Sequence, residues 1–310
     1  MSPDDRDGWV RLIRTDKRAF VAERKAIGLE TRINLKGADL SGLNLHELGI
    51  AWSDLSGANL SGAQVEPVNL AMCKLKDTNL SNVHYLRDKD DRFARQVRLI
   101  RMLWDDVDGF NRERHTNEFL NCVDLEGADL RRANLKSVSM RESNFVGGDF
   151  RDCVLHQTDF DGSRMAKASF VGTEMTICSF IGADLSEADF RNARIKAGDF
   201  KKATLTSATF DGATLESGTF ADAKGERVSF AGASMKLRNA NRTQFRNGIF
   251  RGATMTNVMF EEADLRDTDF RDVVATGAMV INLSDITGAD FRGSSGIKFE
   301  GEKGRDSAKF

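Results

Sequence analysis

The side chains that most often carry chemistry are spread thinly through this sequence of 310 residues. The four histidines form neither a catalytic triad nor the H-E-x-x-H spacing of a metal site, and the four cysteines form no C-x-x-C pair. These residues are His46, His84, His115, His156, Cys73, Cys122, Cys153 and Cys178. The sequence therefore predicts no metal site, no disulfide framework and no cofactor.

Carboxylates are abundant, and aspartates often recur five residues apart. We do not interpret this interval as paired catalytic acids, because it reflects a five-residue unit in which one turn position favours Asp or Asn. A hydrolase or nuclease stays an alternative for the segment 86–121, where Asp88, Asp90 and Asp91 are its only candidate catalytic residues. Apart from that alternative, we expect that the protein is not an enzyme.

A five-residue period runs through most of the chain. Every fifth residue is apolar in the ranges 35–80 and 125–270, with lapses at Gly225 and Ala240. Two residues before each of these centres stands a small side chain, a position that also takes three of the four cysteines. Because this period fits neither a helix nor an ordinary strand, the chain must turn a corner every five residues. Four such sides close a square coil of about 20 residues, and coils can stack like neighbouring strands at about 4.8 Å.

Centres taken at intervals of 20 show that each side of the coil has its own internal stack. Two opposite sides are lined by phenylalanine, with Ala240 as an exception, and the other two sides are predicted to be aliphatic. The core phenylalanines of the first side are Phe150, Phe170, Phe190, Phe210, Phe230, Phe250 and Phe270, and those of the opposite side are Phe160, Phe180, Phe200, Phe220 and Phe260. The chain has 21 Phe and 1 Tyr, as expected where rings are buried without a partner for a hydroxyl.

Units such as residues 183–187, Ala-Asp-Leu-Ser-Glu, resemble the pentapeptide-repeat family, whose motif is A(D/N)LXX with Phe allowed at the centre. The resemblance covers about two thirds of the chain. It implies an all-β solenoid, a right-handed quadrilateral parallel β-helix, which in this family is commonly used for protein binding and is not known for catalysis. We predict this fold in two segments, with an N-terminal helix and an inserted helix.

Breaks in the period predict five regions. They are an N-terminal helical cap at 1–31, a first β-helix segment at 32–85, an inserted helical segment at 86–121, a second β-helix at 122–292 and a flexible tail at 293–310. A cap is expected because a first coil would otherwise expose its apolar interior and an unpaired edge. The tail is predicted from its Gly, Ser and Lys content, and the phase slips by one residue before Ile286 and Phe291.

The inserted segment shows helical periodicity that should end near Trp104. It repeats a motif of the N-terminal region, since the sequence Val-Arg-Leu-Ile-Arg occurs at both 10–14 and 97–101. This repetition suggests a duplicated module of helix followed by solenoid. The inserted helix then either caps the second solenoid or projects as a recognition element.

Two sets of arginines are candidates for partner binding. One set lies on the inserted helix, and the other follows the centres of the first Phe side, next to a parallel stripe of aspartates such as Asp149 and Asp189. The stripes can be weak, solvated ion pairs or a zwitterionic binding surface. The candidate residues are Arg92, Arg95, Arg98, Arg101, Arg151, Arg191 and Arg271.

We therefore predict a non-catalytic adaptor or inhibitor that binds a protein partner. Some family members, of the Qnr type, engage DNA gyrase by imitating duplex DNA, so the resemblance also implies a DNA mimic that protects this type II topoisomerase from antibiotics. With a net charge of −2, we expect no direct nucleic-acid binding. The acidic start of the chain and the lack of a long apolar run predict a cytoplasmic protein without membrane contact, and a homodimer stays open.

Overall fold

The structure is a computed structural model that describes residues 1–86 and 92–310. It consists of two compact units, residues 1–115 with 119–126 and residues 116–118 with 127–310. Both units contain stacked coils of parallel β-structure, and every α-helix described lies in the first. The chain is thus a four-sided parallel β-helix in two parts, with helices added to one of them.

The first unit begins with two helices and continues as a short β-helix segment. Its elements are α1 (Arg6–Thr15), α2 (Lys17–Ile27), β1 (Gln64–Val65), α3 (Pro67–Ala71), β2 (His84–Tyr85), α4 (Arg92–Asp105) and α5 (Val107–Glu113). Parallel bridges join Asn34 to Asp54, Asp54 to Lys74 and Lys74 to Asp124. Residues 119–126 therefore continue the first stack beyond the inserted helices, although the sequence predicts that residues from 122 onward begin the second segment.

Aspartate caps divide both helical regions in two. The N-terminal pattern predicts one helix, but the Asp16 carboxylate accepts a hydrogen bond from the amide of Ala19 at 2.9 Å and begins α2. Helix α4 ends at Asp105, close to the predicted end, and Asp106 caps α5 through the amide of Gly109 at 2.8 Å. The sequence does not predict α5, because seven residues are too short for a clear helical period.

One repeat of the second unit, centred on Phe190, shows how five residues make one side of a coil. Phe190 and Ala188 are fully buried, while Asp189 lies between them at the surface. The amide of Ala193 donates to the carbonyl of Phe190 at 3.0 Å and closes a turn. Asn192 has the left-handed φ of 57° that the third position of such a turn favours, so the chain bends there without a helix or hairpin.

The coils stack at a spacing of 20 residues. Ile195 pairs in parallel with Met175 on one neighbouring coil and with Leu215 on the other. The strands on this side are β3 (Leu155–His156), β4 (Glu174–Thr176), β5 (Arg194–Lys196), β6 (Thr214–Thr219), β7 (Ser234–Asn239), β8 (Thr254–Thr256), β10 (Val274–Asn282) and β11 (Ser295–Glu300). The additional strand β9 (Met259–Glu261) pairs with β10, and the other sides are joined mainly by single bridges.

The core of the second unit consists of two stacks of phenylalanine rings. All twelve core phenylalanines named from the sequence have no exposed surface. Within one stack the rings are nearly parallel, as for Phe190 and Phe210, whose centroids lie 4.5 Å apart. Rings of opposite stacks meet edge to face, as for Phe190 and Phe200 at 5.8 Å. Both arrangements are favourable for aromatic pairs, so the rings hold successive coils in one alignment.

Phe245 corrects the expectation that the two remaining sides are purely aliphatic. It lies on one of those sides and its ring is 6.3 Å from that of Phe220, next to the position that Ala240 leaves without a ring. A Cβ atom at Gly225 would lie 3.3 Å from the Phe245 ring. The ring of Phe245 therefore fills space beside both lapses in the apolar column, Gly225 on the preceding coil of its own side and Ala240 on the neighbouring side.

We expect Phe245→Ala to lower the free energy of unfolding by about 3–5 kcal/mol, because it leaves a cavity in the core. Ala240→Phe should lower it by about 1–3 kcal/mol, because the added ring meets Phe245. The double variant Ala240→Phe/Phe245→Leu should then be more stable than Ala240→Phe alone. Urea unfolding followed by circular dichroism measures all three, and a double variant no more stable than Ala240→Phe alone would contradict the compensation.

The end of the second unit differs from the predicted flexible tail. The one-residue slip before Ile286 is present, since Asp264 pairs with Asp285, but residues 295–300 form β11 and pair with β10. The ring of Phe310 stacks on that of Phe291 at 5.4 Å. The glycine content predicts disorder here, but ordered backbone with a positive φ or a close approach also requires glycine. At Gly296 of β11, with a φ of 79°, a Cβ would lie 2.2 Å from the carbonyl oxygen of Ala275.

Candidate functional site

The residues first considered for catalysis do not come together in the described part of the chain. No group of histidine, cysteine and carboxylate side chains within residues 1–86 and 92–310 could hold a metal ion. His46 lies beside the Glu66 carboxylate at 3.0 Å, which is a surface contact in the first unit. Asp88, Asp90 and Asp91 lie outside the described residues, so the hydrolase or nuclease alternative is untested.

Three of the four thiols are buried parts of the core. Burial raises the pKa of Cys73 and Cys153 to about 12 and that of Cys178 to about 11. The Sγ of Cys153 lies 2.9 Å from the carbonyl oxygen of Leu130, on the coil before it. Because the thiolate is the reactive form, these side chains are inert at neutral pH.

We expect that a thiol reagent such as Ellman's reagent labels at most one cysteine, the partly exposed Cys122, in the native protein at about pH 8. All four should react after denaturation. Cys122→Ser should remove the native signal. Rapid labelling of a second thiol in the folded protein would show that the coils open readily.

The N-terminal helices cover the first coil by supplying its backbone with partners. The amide of Asn34 donates to the carbonyl of Pro3 at 2.9 Å, and Arg14 donates to the carbonyl of Asp39 at 2.6 Å. Arg24 is fully buried and donates to the carbonyls of Gly28, Leu29 and Ala51. These contacts give hydrogen-bond partners to backbone groups of the coil, and such partners matter because an exposed coil edge carries unpaired amides and carbonyls.

Helix α4 makes the same kind of contact with the last coil of the first segment. Arg101 donates to the carbonyl of Thr78 at 3.1 Å and to that of Leu75 at 3.3 Å, and it also pairs with Asp105. Burial lowers the pKa of the Arg101 guanidinium. Arg101 and Arg14 occupy the same position in the repeated Val-Arg-Leu-Ile-Arg motif, so both copies direct their last arginine to coil carbonyls.

The other arginines predicted on the inserted helix are also engaged. Arg95 donates to the carbonyl of Glu113 at 3.0 Å, and Arg98 forms an ion pair with the Glu113 carboxylate at 2.5 Å. Arg95, Arg98 and Arg101 lie together around a cavity of about 590 Å³ that Leu80 also lines. The side chain of Arg92 lies outside the description, although α4 begins at that residue. This helix therefore serves the first unit structurally, at least through Arg101.

Arg101→Gln is expected to destabilise the protein by about 1–3 kcal/mol, because it removes the side-chain donor to the carbonyl of the buried Thr78. The matched change Arg98→Gln removes an exposed ion pair and should cost less than about 1 kcal/mol. Thermal unfolding of both variants measures the difference. Equal stability of the two variants would mean that the Arg101 contacts contribute nothing to the cap.

A partly buried charge cluster holds residues 119–126 in the first unit. Arg32 forms ion pairs with Asp124 and, at 2.5 Å, with Glu126. Burial raises the pKa of the Asp124 carboxyl, and the Arg32 guanidinium opposes that rise. Asp124 occupies the Asp position of the repeat unit centred on Leu125, but the sequence contains no signal for its pairing with Arg32, because the two residues are 92 positions apart.

The arginine stripe of the second unit consists of local ion pairs. Arg151, Arg191 and Arg271 each lie 2.6 Å from the aspartate two residues earlier on the same side. The hydrogen bond from Arg271 holds the pKa of Asp269 below its ordinary value. These pairs leave the stripe with little uncompensated charge.

No helix among the described residues is long and apolar enough to span a membrane. The candidate arginines whose side chains the structure describes lie in both units, and each of them forms intramolecular contacts.

Comparison with known proteins identifies the repeat. A family model for a pentapeptide repeat region matches residues 148–220, and one for pentapeptide repeats in eight copies matches residues 31–62, 120–157 and 241–274. Together these matches cover more than half of the chain. No curated protein matches it.

Solved structures similar to this chain include a trypsin-treated variant of QnrB1, a plasmid-mediated fluoroquinolone resistance protein. It is 19% identical, with 60% of this chain and 87% of that chain covered and a TM-score of 0.36. HetL from the cyanobacterium Nostoc, involved in regulating heterocyst differentiation, is 18% identical, with 63% and 88% covered and a TM-score of 0.20. A thylakoid-lumen protein from Arabidopsis thaliana is 24% identical, with 46% and 65% covered and a TM-score of 0.15. At these values the likeness says nothing about partners.

Proposed function

Since this chain belongs to the pentapeptide-repeat family, we propose that it is a non-catalytic scaffold that binds a protein partner through the outer surface of its coils. The observation that carries this proposal is the separation of buried and exposed positions within each repeat. The apolar centre and the small residue before it are buried, while the remaining positions face outward at fixed intervals. Outward residues can therefore vary with little effect on the fold.

The ring stacks make this surface rigid. Neighbouring rings of the first stack lie 4.5–5.1 Å apart from Phe150 to Phe291, so each coil is held at a constant distance from the next. A rigid surface loses little conformational entropy on binding, which favours affinity for a partner of matching shape. The role of adaptor or inhibitor follows from this property.

A topoisomerase-protecting DNA mimic has less support. Imitation of duplex DNA requires a surface with uncompensated negative charge. On the side with the regular stripe, the carboxylates of Asp149, Asp189 and Asp269 are each neutralised by the arginine two residues later. No contact described here favours gyrase over another protein partner.

The proposed function can be tested with the tagged, full-length protein as bait in cross-linked cells, followed by quantitative mass spectrometry. We expect at least one protein to be enriched about tenfold or more over the tag alone, since tenfold is the ratio that about 1.4 kcal/mol of binding preference would give at equilibrium. The variant Arg151→Gln/Arg191→Gln/Arg271→Gln should keep the fold and shows whether the arginine stripe contributes. If no protein is enriched with the intact chain, the scaffold proposal is wrong.

A further inference from the structure

One part of the second unit carries only positive charge. Between Glu226 and Glu261 the sequence contains no Asp or Glu, although it extends over almost two coils. The basic residues of this interval are Arg227, Lys236, Arg238, Arg242, Arg246 and Arg251. In a chain with a net charge of −2, such an interval is a local excess of positive charge.

Three of these residues are neutralised by carboxylates at its margins. Arg227 pairs with Glu226 at 3.1 Å. Arg242 reaches Asp222 on the preceding coil at 2.6 Å, and Arg246 reaches Asp267 on the following coil at 3.5 Å. These three pairs resemble the local ion pairs of the arginine stripe and leave no excess charge.

The remaining three, Lys236, Arg238 and Arg251, are exposed and have no ion pair with any residue that the structure describes. Glu216 is the register partner of Lys236 on β6, but their charged groups do not come within ion-pair distance. In the arginine stripe, an aspartate lies two residues before Arg151, Arg191 and Arg271. Before Arg251, Ile249 takes that position. The absence of a carboxylate leaves the Arg251 guanidinium available.

These three cations border one side of the coil. Lys236 and Arg238 lie on β7, with Leu237 buried between them. Arg251 lies in the turn that leads into β8, where Thr254 pairs with Ser234 of β7. We call the surface formed by Lys236, Arg238, Arg251, Ser234 and Thr254 the basic face; its other outward groups are hydroxyls, which are hydrogen-bond donors and acceptors.

Exposed apolar side chains lie beside the basic face. Val274, 48% exposed, lies on β10 as the register partner of Thr254 and continues the basic face on the next coil, and Ile249, 39% exposed, lies two residues before Arg251 on the neighbouring side. A polypeptide can bury such side chains, and buried apolar contacts are typical of the centres of protein interfaces. A nucleic-acid backbone offers no comparable apolar group, and three cations are few for phosphate-driven binding.

We propose that the basic face binds an acidic polypeptide segment in which apolar residues alternate with carboxylates. The carboxylates pair with Lys236, Arg238 and Arg251, and the apolar residues cover Val274. This inference rests on the proposed function and names the surface and the chemistry of the partner.

The test uses the full-length protein and a fluorescent peptide with the repeated sequence Glu-Leu-Glu-Ser. The variant Lys236→Glu/Arg238→Glu/Arg251→Glu should bind this peptide at least about tenfold more weakly. The control variant Lys167→Glu/Lys201→Glu/Lys202→Glu changes the net charge equally at exposed positions elsewhere and should stay within about twofold of the unchanged protein. Circular dichroism confirms that both variants keep the fold.

Three results would overturn the inference. They are no binding of the peptide by the unchanged protein, an equal loss in both triple variants, and tighter binding of oligothymidylate than of the peptide through the same three residues. In the cross-linking experiment, a partner that is retained fully by the Lys236→Glu/Arg238→Glu/Arg251→Glu variant would contradict the basic face and leave the scaffold function standing. Loss of that partner with this variant, but not with the control, supports both.

Discussion

The rest of this structure depends on backbone pairing between coils that lie 20 residues apart. Each coil pairs its amides and carbonyls with the coils before and after it, so every coil needs two neighbours. The outermost coils of any such stack have only one, and their free edge would attract other strands. In the first unit, helices supply the missing partners: α1 and α2 serve the first coil, and Arg101 of α4 serves Thr78 and Leu75.

The pairing rule explains why so much of the fold can be predicted from the sequence. A register of 20 places like residues above one another, so the apolar column and the phenylalanine stacks can be inferred from spacing alone. Contacts that cross between sides do not follow from the spacing. Phe245 supplies the volume missing at Ala240 on the neighbouring side, and only the distances between rings show it. Composition was also a poor guide to residues 293–310, since glycine serves tight turns as well as disorder.

The candidate surfaces show the same limit. The periodic pattern correctly places Arg151, Arg191 and Arg271 in one stripe, but the position of an arginine does not reveal whether its charge is available. For the stripe, the answer lies two residues earlier in the chain and could have been obtained from the sequence. For Arg101 it could not, because a helical period does not show which backbone groups the helix meets. The basic face is defined by three cations that form no ion pair with the residues described. Only a structure can show which carboxylates on adjacent coils come within reach of them.

The phenylalanine stacks also restrict how the length of such a chain can change. Insertion of a complete coil of about 20 residues keeps every later side in place and simply lengthens the molecule. Insertion of one five-residue unit would rotate all later sides by a quarter turn, so phenylalanines would meet the aliphatic sides and the charged columns would be cut. The single extra residue before Asp285 is accommodated within β10, near the end of the described coils, where few later coils must follow it. The chain can therefore lengthen without disruption only by whole coils, and each added coil continues the surface pattern of the coils before it.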